Sequence, residues 1–481
     1  MTKTEVQYWI AGLLLADLLS FLGHYEPTVS QALFIIAVTA FLVVSLRNLE
    51  LALLITLAEI FVGSKGYLFL FTYNDITISF RLAAFIILFL VSLQQIKNLD
   101  KEAILKLVGW AKPILALGFI VFLSFIRGLA HGYGFWQVFF DANAYFFLGL
   151  LLPLFIVTQK KEFLERVAYL LFYSAVYLSV KTLLLLYFFT HQFEFFLPDL
   201  YQWVRHSGVG EITWTTTGAW RIFIQSQIYV LVAWWMVASK SEPDYSILIS
   251  PKIIFILSLF MSALLISFSR SFWFGLILSM GAVGFWKLYN RQFKELAMLT
   301  MASIISFVLG IVIIIGVMKI PLPAASTDGT LNLSERLQIE EAASSRWNLL
   351  TPLWSAVKKN MIWGAGFGAA VTYTSNDPRV RSLSPDGRYT TTAFEWGYLD
   401  IWLKIGLLGL AVYVWIIWKI FSAASQTLNL NSSLAGLLTG LLAVAAVHVA
   451  SPYLNHPLGL GLVLLLYTLT VSRPDFKRFY G

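Results

Sequence analysis

The stretch Glu295–Met318, ELAMLTMASIISFVLGIVIIIGVM, carries no charged residue after its first position. As a helix rising about 1.5 Å per residue it is long enough to cross a hydrocarbon core of roughly 30 Å. Similar apolar runs recur from end to end, at approximately 8–22, 29–46, 49–63, 78–95, 113–129, 142–158, 163–190, 221–239, 253–268, 271–290, 398–420, 434–450 and 455–472. A soluble core has no need of that repetition. The residues therefore predict an all-α, polytopic integral membrane protein of about fourteen transmembrane helices with a long, partly helical extracytoplasmic loop.

Hydrophobic residues make up 58% of the chain and charged residues 12%, roughly half the charged share of soluble domains. The expected organisation is 1–318 as helices one to eleven with an outer loop at 191–220, 319–397 as a large extracytoplasmic loop, and 398–481 as the last three helices and a cytoplasmic tail. The first run, Trp9–Leu22, contains Asp17 and lacks a small-residue cleavage site, which reads as a retained helix instead of a signal peptide. There are no cysteines, so disulfides, zinc–thiolate sites and cysteine nucleophiles are excluded. The net charge of +8 is scattered among short loops instead of forming one patch, so nucleic acid is not an expected partner.

Alternate connections differ sharply in Lys and Arg content. One set holds Arg47; Lys97, Lys101, Lys106 and Lys112; Lys160, Lys161 and Arg166; Lys240 and Lys252; Lys287, Arg291 and Lys294; Lys419; and Arg473, Lys477 and Arg478. By the positive-inside rule these connections and both termini are cytoplasmic. The opposite set, including Gly23–Thr28, His191–Trp220 and the long Lys319–Gly397, faces the periplasm or cell exterior. The expected location is thus an inner (plasma) membrane, crossed many times.

Ionisable residues inside spans are costly and are functional candidates by default. With this topology Asp17, Glu59, Arg81, Arg127, Lys181, Arg221, Arg270, Lys404 and His448 all fall in the outer half of their helices or at the outer boundary. That one-sided set describes a polar cavity opening outward, whereas a proton-coupled transporter places such groups near the midplane. The plain alternative for each is a side chain snorkelling to water. Lys181 lies deep among Leu, Val and Tyr and calls for an anionic partner, with Asp141 or Glu194 as candidates.

In the long loop, LNLSERLQIEEAASSRWNLLTPLWSAVKKNMIWGAGFG spans 331–368. Trp347, Leu350, Trp354 and Val357 recur at helical spacing, with Ser344 or Ser345 as a cap. The expected helix lays a Trp-rich face on the membrane domain and ends near Asn360, leaving Gly364, Gly366 and Gly368 as a flexible turn. GAGFG follows no strand and lacks the spacing of a phosphate-binding fingerprint, so a plain turn outweighs a phosphate nest. Tyr373–Thr392 is polar and turn-rich, either a mobile flap over the cavity or a linker.

Five pieces, in order, carry a resemblance: GAWRIFIQSQ around Arg221, SFSRSFWFG around Arg270, SSRWNLLTPLWSAVKKNMIWGAGFG around Arg346, FEWGYLDIWLKIGLLGL around Glu395, and SPYLNHPLGL near the end. Together they make a chain that resembles the bacterial O-antigen ligase and O-antigen polymerase superfamily, including exopolysaccharide polymerases. The resemblance implies a metal-independent, cofactor-free glycosyltransferase acting at the outer face of the inner membrane. Its partners would be a polyprenyl-diphosphate-linked glycan donor, a glycan or glycolipid acceptor and the bilayer, with a chain-length regulator or flippase as further associates. Arg221, Arg270 and Arg346 would contact the diphosphate.

Ligases of this family carry a His ahead of the glycines of the following helix; counting back from Gly406 and Gly409 puts Glu395 there. That departure favours a polymerase over a ligase, because Glu can equally accept the proton of an attacking hydroxyl. Arginine's planar fork suits diphosphate oxygens as the charge of the leaving group develops. Lys181, Asp141, Lys404 and His448 are expected to support the site, and no metal is expected. The plainer readings are Arg346 as a staple of its helix, Glu395 as a partner of Arg388 or Lys404, and His448 as a structural residue. A glycolipid transporter or flippase, or a non-catalytic assembly protein, are the alternative functions.

Overall fold

The computed structural model describes residues 3–74, 76–97, 101–158, 162–191, 193, 195–215, 218–239, 248–320, 333–376, 378–425 and 432–471. Lys160, Lys161, Glu194, Lys240, Arg473, Lys477 and Arg478 lie outside the described residues, as does 321–332 of the long loop.

Among the described residues, eight helical stretches are long and apolar enough to cross a membrane: Thr4–His24, Pro27–Arg47, Ile104–Ala130, Phe135–Thr158, Phe163–Thr190, Arg270–Tyr289, Phe293–Lys319 and Gly397–Ser425. Phe80–Ile96, Pro251–Ile266, Ser432–Val447 and Pro457–Val471 are apolar but shorter. Local chemistry sets several starts. Ser79 accepts the backbone N–H of Leu82 to cap Phe80–Ile96, and Asn48 accepts that of Leu51 to cap Leu49–Val62. Pro27, Pro251 and Pro457 each open a helix, where a missing N–H costs nothing.

Two of the expected spans take a different form. The stretch expected as a helix from Arg221 begins as a strand, Trp220–Ile224, passes through a 3₁₀ turn at Gln225–Gln227 and becomes helical only over Ile228–Ala238. The reason is visible in WRIFI, whose period is two: Ile222 and Ile224 are buried with Ile212 of the partner strand, while Arg221 and Phe223 lie on the other face. Gln227 satisfies the turn, accepting Ile224 N–H at 3.0 Å and donating to Thr182 Oγ1 at 2.9 Å. The 142–158 run starts earlier, at Phe135, and its middle, Asn143–Leu150, is a 3₁₀ segment between two helical turns.

The chain is thus not purely helical. Among the described residues, three two-stranded antiparallel hairpins pair Leu70–Tyr73 with Ile76–Ser79, Gly210–Trp214 with Trp220–Ile224, and Val371–Thr374 with Arg388–Thr391. They are stitched to one end of the bundle. Ser64 N–H donates to Ser226 Oγ at 2.8 Å, and Asn348 Nδ2 donates to Thr374 O at 3.1 Å. The polar tract after Tyr373 forms the third hairpin around a short helix, Pro378–Leu383.

The loop helix runs Leu333–Lys359, so Ser344 and Ser345 sit inside it and not at its start. Leu349, Leu353 and Val357 form its buried stripe, sharing a small core with Ala365, Val371, Phe394 and Leu403. Its tryptophans meet tryptophans edge-on: Trp347 against Trp396 at 5.3 Å and Trp354 against Trp402 at 5.6 Å.

The glycine segment after it is no flexible turn. Gly364, Gly366 and Gly368 all take positive φ, at 73°, 87° and 84°, and the segment is buried where it crosses the helix Gly397–Ser425. That helix is broken at Gly406, and the segment takes up carbonyls around the break: Ala365 N–H donates to Leu403 O at 2.6 Å and Gly366 N–H to Lys404 O at 3.2 Å. A helix break at this depth is tolerated because another part of the protein completes its hydrogen bonds.

Candidate functional site

The hairpin Gly210–Trp214/Trp220–Ile224 presents Glu211, Thr213, Arg221 and Phe223 on one face, with Thr213 opposite Arg221 and Glu211 one diagonal step away. Arg221 is fixed there: its Nε donates to Ser267 O at 3.0 Å and its guanidinium lies 5.2 Å from the Phe223 ring centre. Arg346, on the loop helix, forms an ion pair with Glu395, and the carbonyl of the same Arg346 accepts Trp396 Nε1–H at 3.0 Å. The backbone on both sides of the pair is therefore locked together.

These two assemblies act on each other electrostatically. Burial pushes the Glu395 carboxyl above the usual carboxylate range; Arg346 opposes that shift and Glu211 adds to it. Burial also lowers Arg221, with Arg346 reinforcing the shift and Glu211 opposing it. Arg221, Arg346, Glu211 and Glu395, two cations and two carboxylates, thus lie within electrostatic reach of one another, and the Arg346–Glu395 pair is about half exposed.

Arg270 opens the helix Arg270–Tyr289 and is exposed, three residues beyond the Ser267 carbonyl that holds Arg221. Its turn is tied to the last connection, since Ser451 Oγ donates to Ser271 Oγ at 3.0 Å. The turn at 267–271, whose Ser267 carbonyl holds Arg221, is what brings Arg270 near the hairpin.

The supporting residues divide into two groups. Lys404 reaches Asp141 at 2.5 Å and Asp400 at 2.6 Å, and all three are buried. Asn455 donates to Asp400, and Asp141 accepts Gly368 N–H at 2.8 Å, so the cluster clamps the glycine segment to the broken helix. Lys404 Nζ also lies 5.5 Å from the ring of Phe394, next to Glu395. Lys181 is elsewhere. It pairs with Asp17 at 2.5 Å beside Tyr177 and Trp203, not with Asp141, because Asp141 is taken up by Lys404. Glu395 likewise pairs with neither Arg388, which faces Asp386, nor Lys404. His448 is fully buried against Tyr398 and accepts Leu454 N–H at 3.1 Å.

Sequence reasoning missed Glu211, Asp400 and Asn455. Glu211 had a usable signal, the alternating EITW facing WRIFI. Asp400 had another, its i,i+4 spacing to Lys404.

An apolar crevice opens beside Arg221, lined by Trp220, Phe268, Trp273, Leu186, Ile314 and Met318, with room of about 160 Å³. It lies between the Arg221 strand and the turn that precedes Arg270.

No curated protein and no solved structure matches the chain. A family model described as O-antigen ligase matches residues 253–414, a segment that holds Arg270, Arg346, Glu395 and Lys404 and leaves Arg221, Asp141, Lys181 and His448 outside it. That segment, about a third of the chain, supports placing it with the O-antigen ligase and polymerase superfamily.

Proposed function

We propose that this protein transfers a glycan from a polyprenyl-diphosphate-linked donor to a hydroxyl of a second glycan, at the extracytoplasmic face of the bacterial inner membrane, and that it is a polymerase in preference to a ligase. The observation that supports the reading is the Arg346–Glu395 ion pair, within electrostatic reach of the Arg221 held on the hairpin. The fourteen-span topology with both termini cytoplasmic belongs to this proposal, since it puts all three hairpins on the outer side.

In this reading the acceptor oxygen attacks the anomeric carbon as the bond to the diphosphate oxygen breaks. Glu395 takes the hydroxyl proton, and the polyprenyl diphosphate leaves with its electron pair. A carboxyl raised by burial is a stronger base than an exposed one, which suits that task near neutral pH. Arg346 and Glu395 are half exposed, and such pairs contribute at most about 1 kcal/mol. An incoming diphosphate can therefore draw Arg346 away and release Glu395 for catalysis. Arg221 and Arg270 supply the other donors to the developing charge.

A strain deleted for the gene should lose long polysaccharide chains while retaining single repeat units. Complementation with Arg346→Ala should fail, because removing one charge-stabilising donor lowers the rate by about 10² to 10³. Normal polymer length with the folded variant would refute the assignment, and loss of export without loss of polymer would favour the transporter alternative.

A further inference from the structure

Arg81 lies in the first turn of Phe80–Ile96 and is only 4% exposed. Its Nε donates to Glu59 at 2.6 Å, and among the described residues Nη1 and Nη2 are buried without any hydrogen-bond partner. Buried donors are nearly always satisfied, and a guanidinium held only through Nε keeps free the two nitrogens best placed to grip a phosphate. This arginine belongs to neither of the clusters described above.

Its surroundings are cationic. Gly66, at φ +87°, lies directly over the guanidinium, where a Cβ would stand 2.8 Å from Nε and 3.0 Å from Cζ. Lys65, next in the chain to Gly66, is exposed, and the positive charges of both Arg81 and Lys65 act on His456, in the turn ahead of Pro457–Val471. Glu59 offsets only one of the two fixed positive charges. The cluster joins the Arg221 hairpin through reciprocal bonds between Ser64 and Ser226, at 2.8 and 3.3 Å. It stands at the far end of the strand Trp220–Ile224, about 10 Å of extended chain from Arg221.

We infer that Arg81 and Lys65 form a second phosphate-binding subsite, which holds the phosphate-bearing end of the acceptor glycolipid while Arg221 and Arg346 hold the donor diphosphate. The inference rests on the proposed transferase reading and extends it: two lipid-linked substrates require two anion sites on one face. A strand's length between them separates two head groups and does not suit the two phosphates of one diphosphate.

The test is calorimetric titration of geranylgeranyl diphosphate into the full-length protein in phosphatidylcholine nanodiscs. Wild type should bind two equivalents. Arg81→Gln should retain one, and Lys65→Gln, at an exposed position that keeps the fold intact, should weaken one event about tenfold and leave the other unchanged. Arg221→Gln should remove the event that Lys65→Gln spares. A single event, insensitive to Lys65→Gln and Arg81→Gln but lost in Arg221→Gln, overturns the subsite and leaves the transferase reading standing. Binding untouched by Arg221→Gln overturns that reading instead. Repeating the titration in phosphatidylglycerol nanodiscs separates the sources of phosphate: persistence of the Lys65-dependent event supports an acceptor, and its loss assigns the subsite to a bilayer head group and overturns the acceptor role.

Discussion

Replacing Lys404 with methionine removes one charge while keeping a side chain of similar reach, and the structure sets the consequence. Lys404 lies 2.5 Å from Asp141 and 2.6 Å from Asp400, with the three side chains 7%, 9% and 4% exposed. Its loss leaves two carboxylates buried and facing each other's charge. Breaking a buried pair from one side costs about 3 to 5 kcal/mol, and with two stranded anions the upper part of that range is expected. Asp141→Asn is milder: Lys404 keeps Asp400 and the amide oxygen can still accept Gly368 N–H, so a loss of about 1.5 to 3 kcal/mol is expected, the worth of a charged hydrogen bond. Combining the two variants strands only one carboxylate. The double variant should therefore be more stable than additivity predicts, by at least about 1 kcal/mol. Tryptophan-monitored unfolding of the purified protein in detergent measures all three. A Lys404→Met loss below that of Asp141→Asn, or strict additivity, would refute the clamp.

Three further outcomes follow from the structure. Glu395 acts as a carboxylate, and burial raises its pKa, so activity should fall as pH drops through a midpoint above the ordinary carboxylate range. In Arg346→Gln the opposing influence is gone while burial and Glu211 remain, so the acid limb of the residual activity should move to higher pH. No movement, or movement to lower pH, contradicts the coupling. Gly364→Ala puts a Cβ 2.6 Å from Gly406 N at φ +73°, against backbone that has no room to shift. It should destabilise the protein by more than 1 kcal/mol in the same unfolding assay; a neutral result would mean the crossing is loose.

The long helices were legible because their signal is length and uninterrupted apolarity: Phe163–Thr190 and Phe293–Lys319 follow directly from it. The same signal misled where apolar residues served another geometry. WRIFI is as hydrophobic as a helix start, yet its alternation pairs it with GEITW across a turn, a partner that hydropathy cannot see. The glycine segment read as a hinge because glycine permits many conformations; what locks it is the break at Gly406, 40 residues downstream of Gly366. Among candidate site residues, Arg346 and Glu395 were found as separate motif positions, and their pairing needed the fold. Lys181 was recognised as needing an anion, but its partner, Asp17, lies 164 residues away, beyond any spacing argument. Glu211 was passed over because a single acidic residue in a loop looks solvated until a strand places it beside Arg221.

Transfer by purified protein reconstituted in liposomes with a polyprenyl-diphosphate-linked repeat unit and no other protein tests the central claim most directly. Wild type should lengthen the glycan and release polyprenyl diphosphate, while Glu395→Gln and Arg221→Ala, correctly inserted, should fall by at least about a hundredfold. Undiminished transfer by both variants, or none by the wild type, would contradict it.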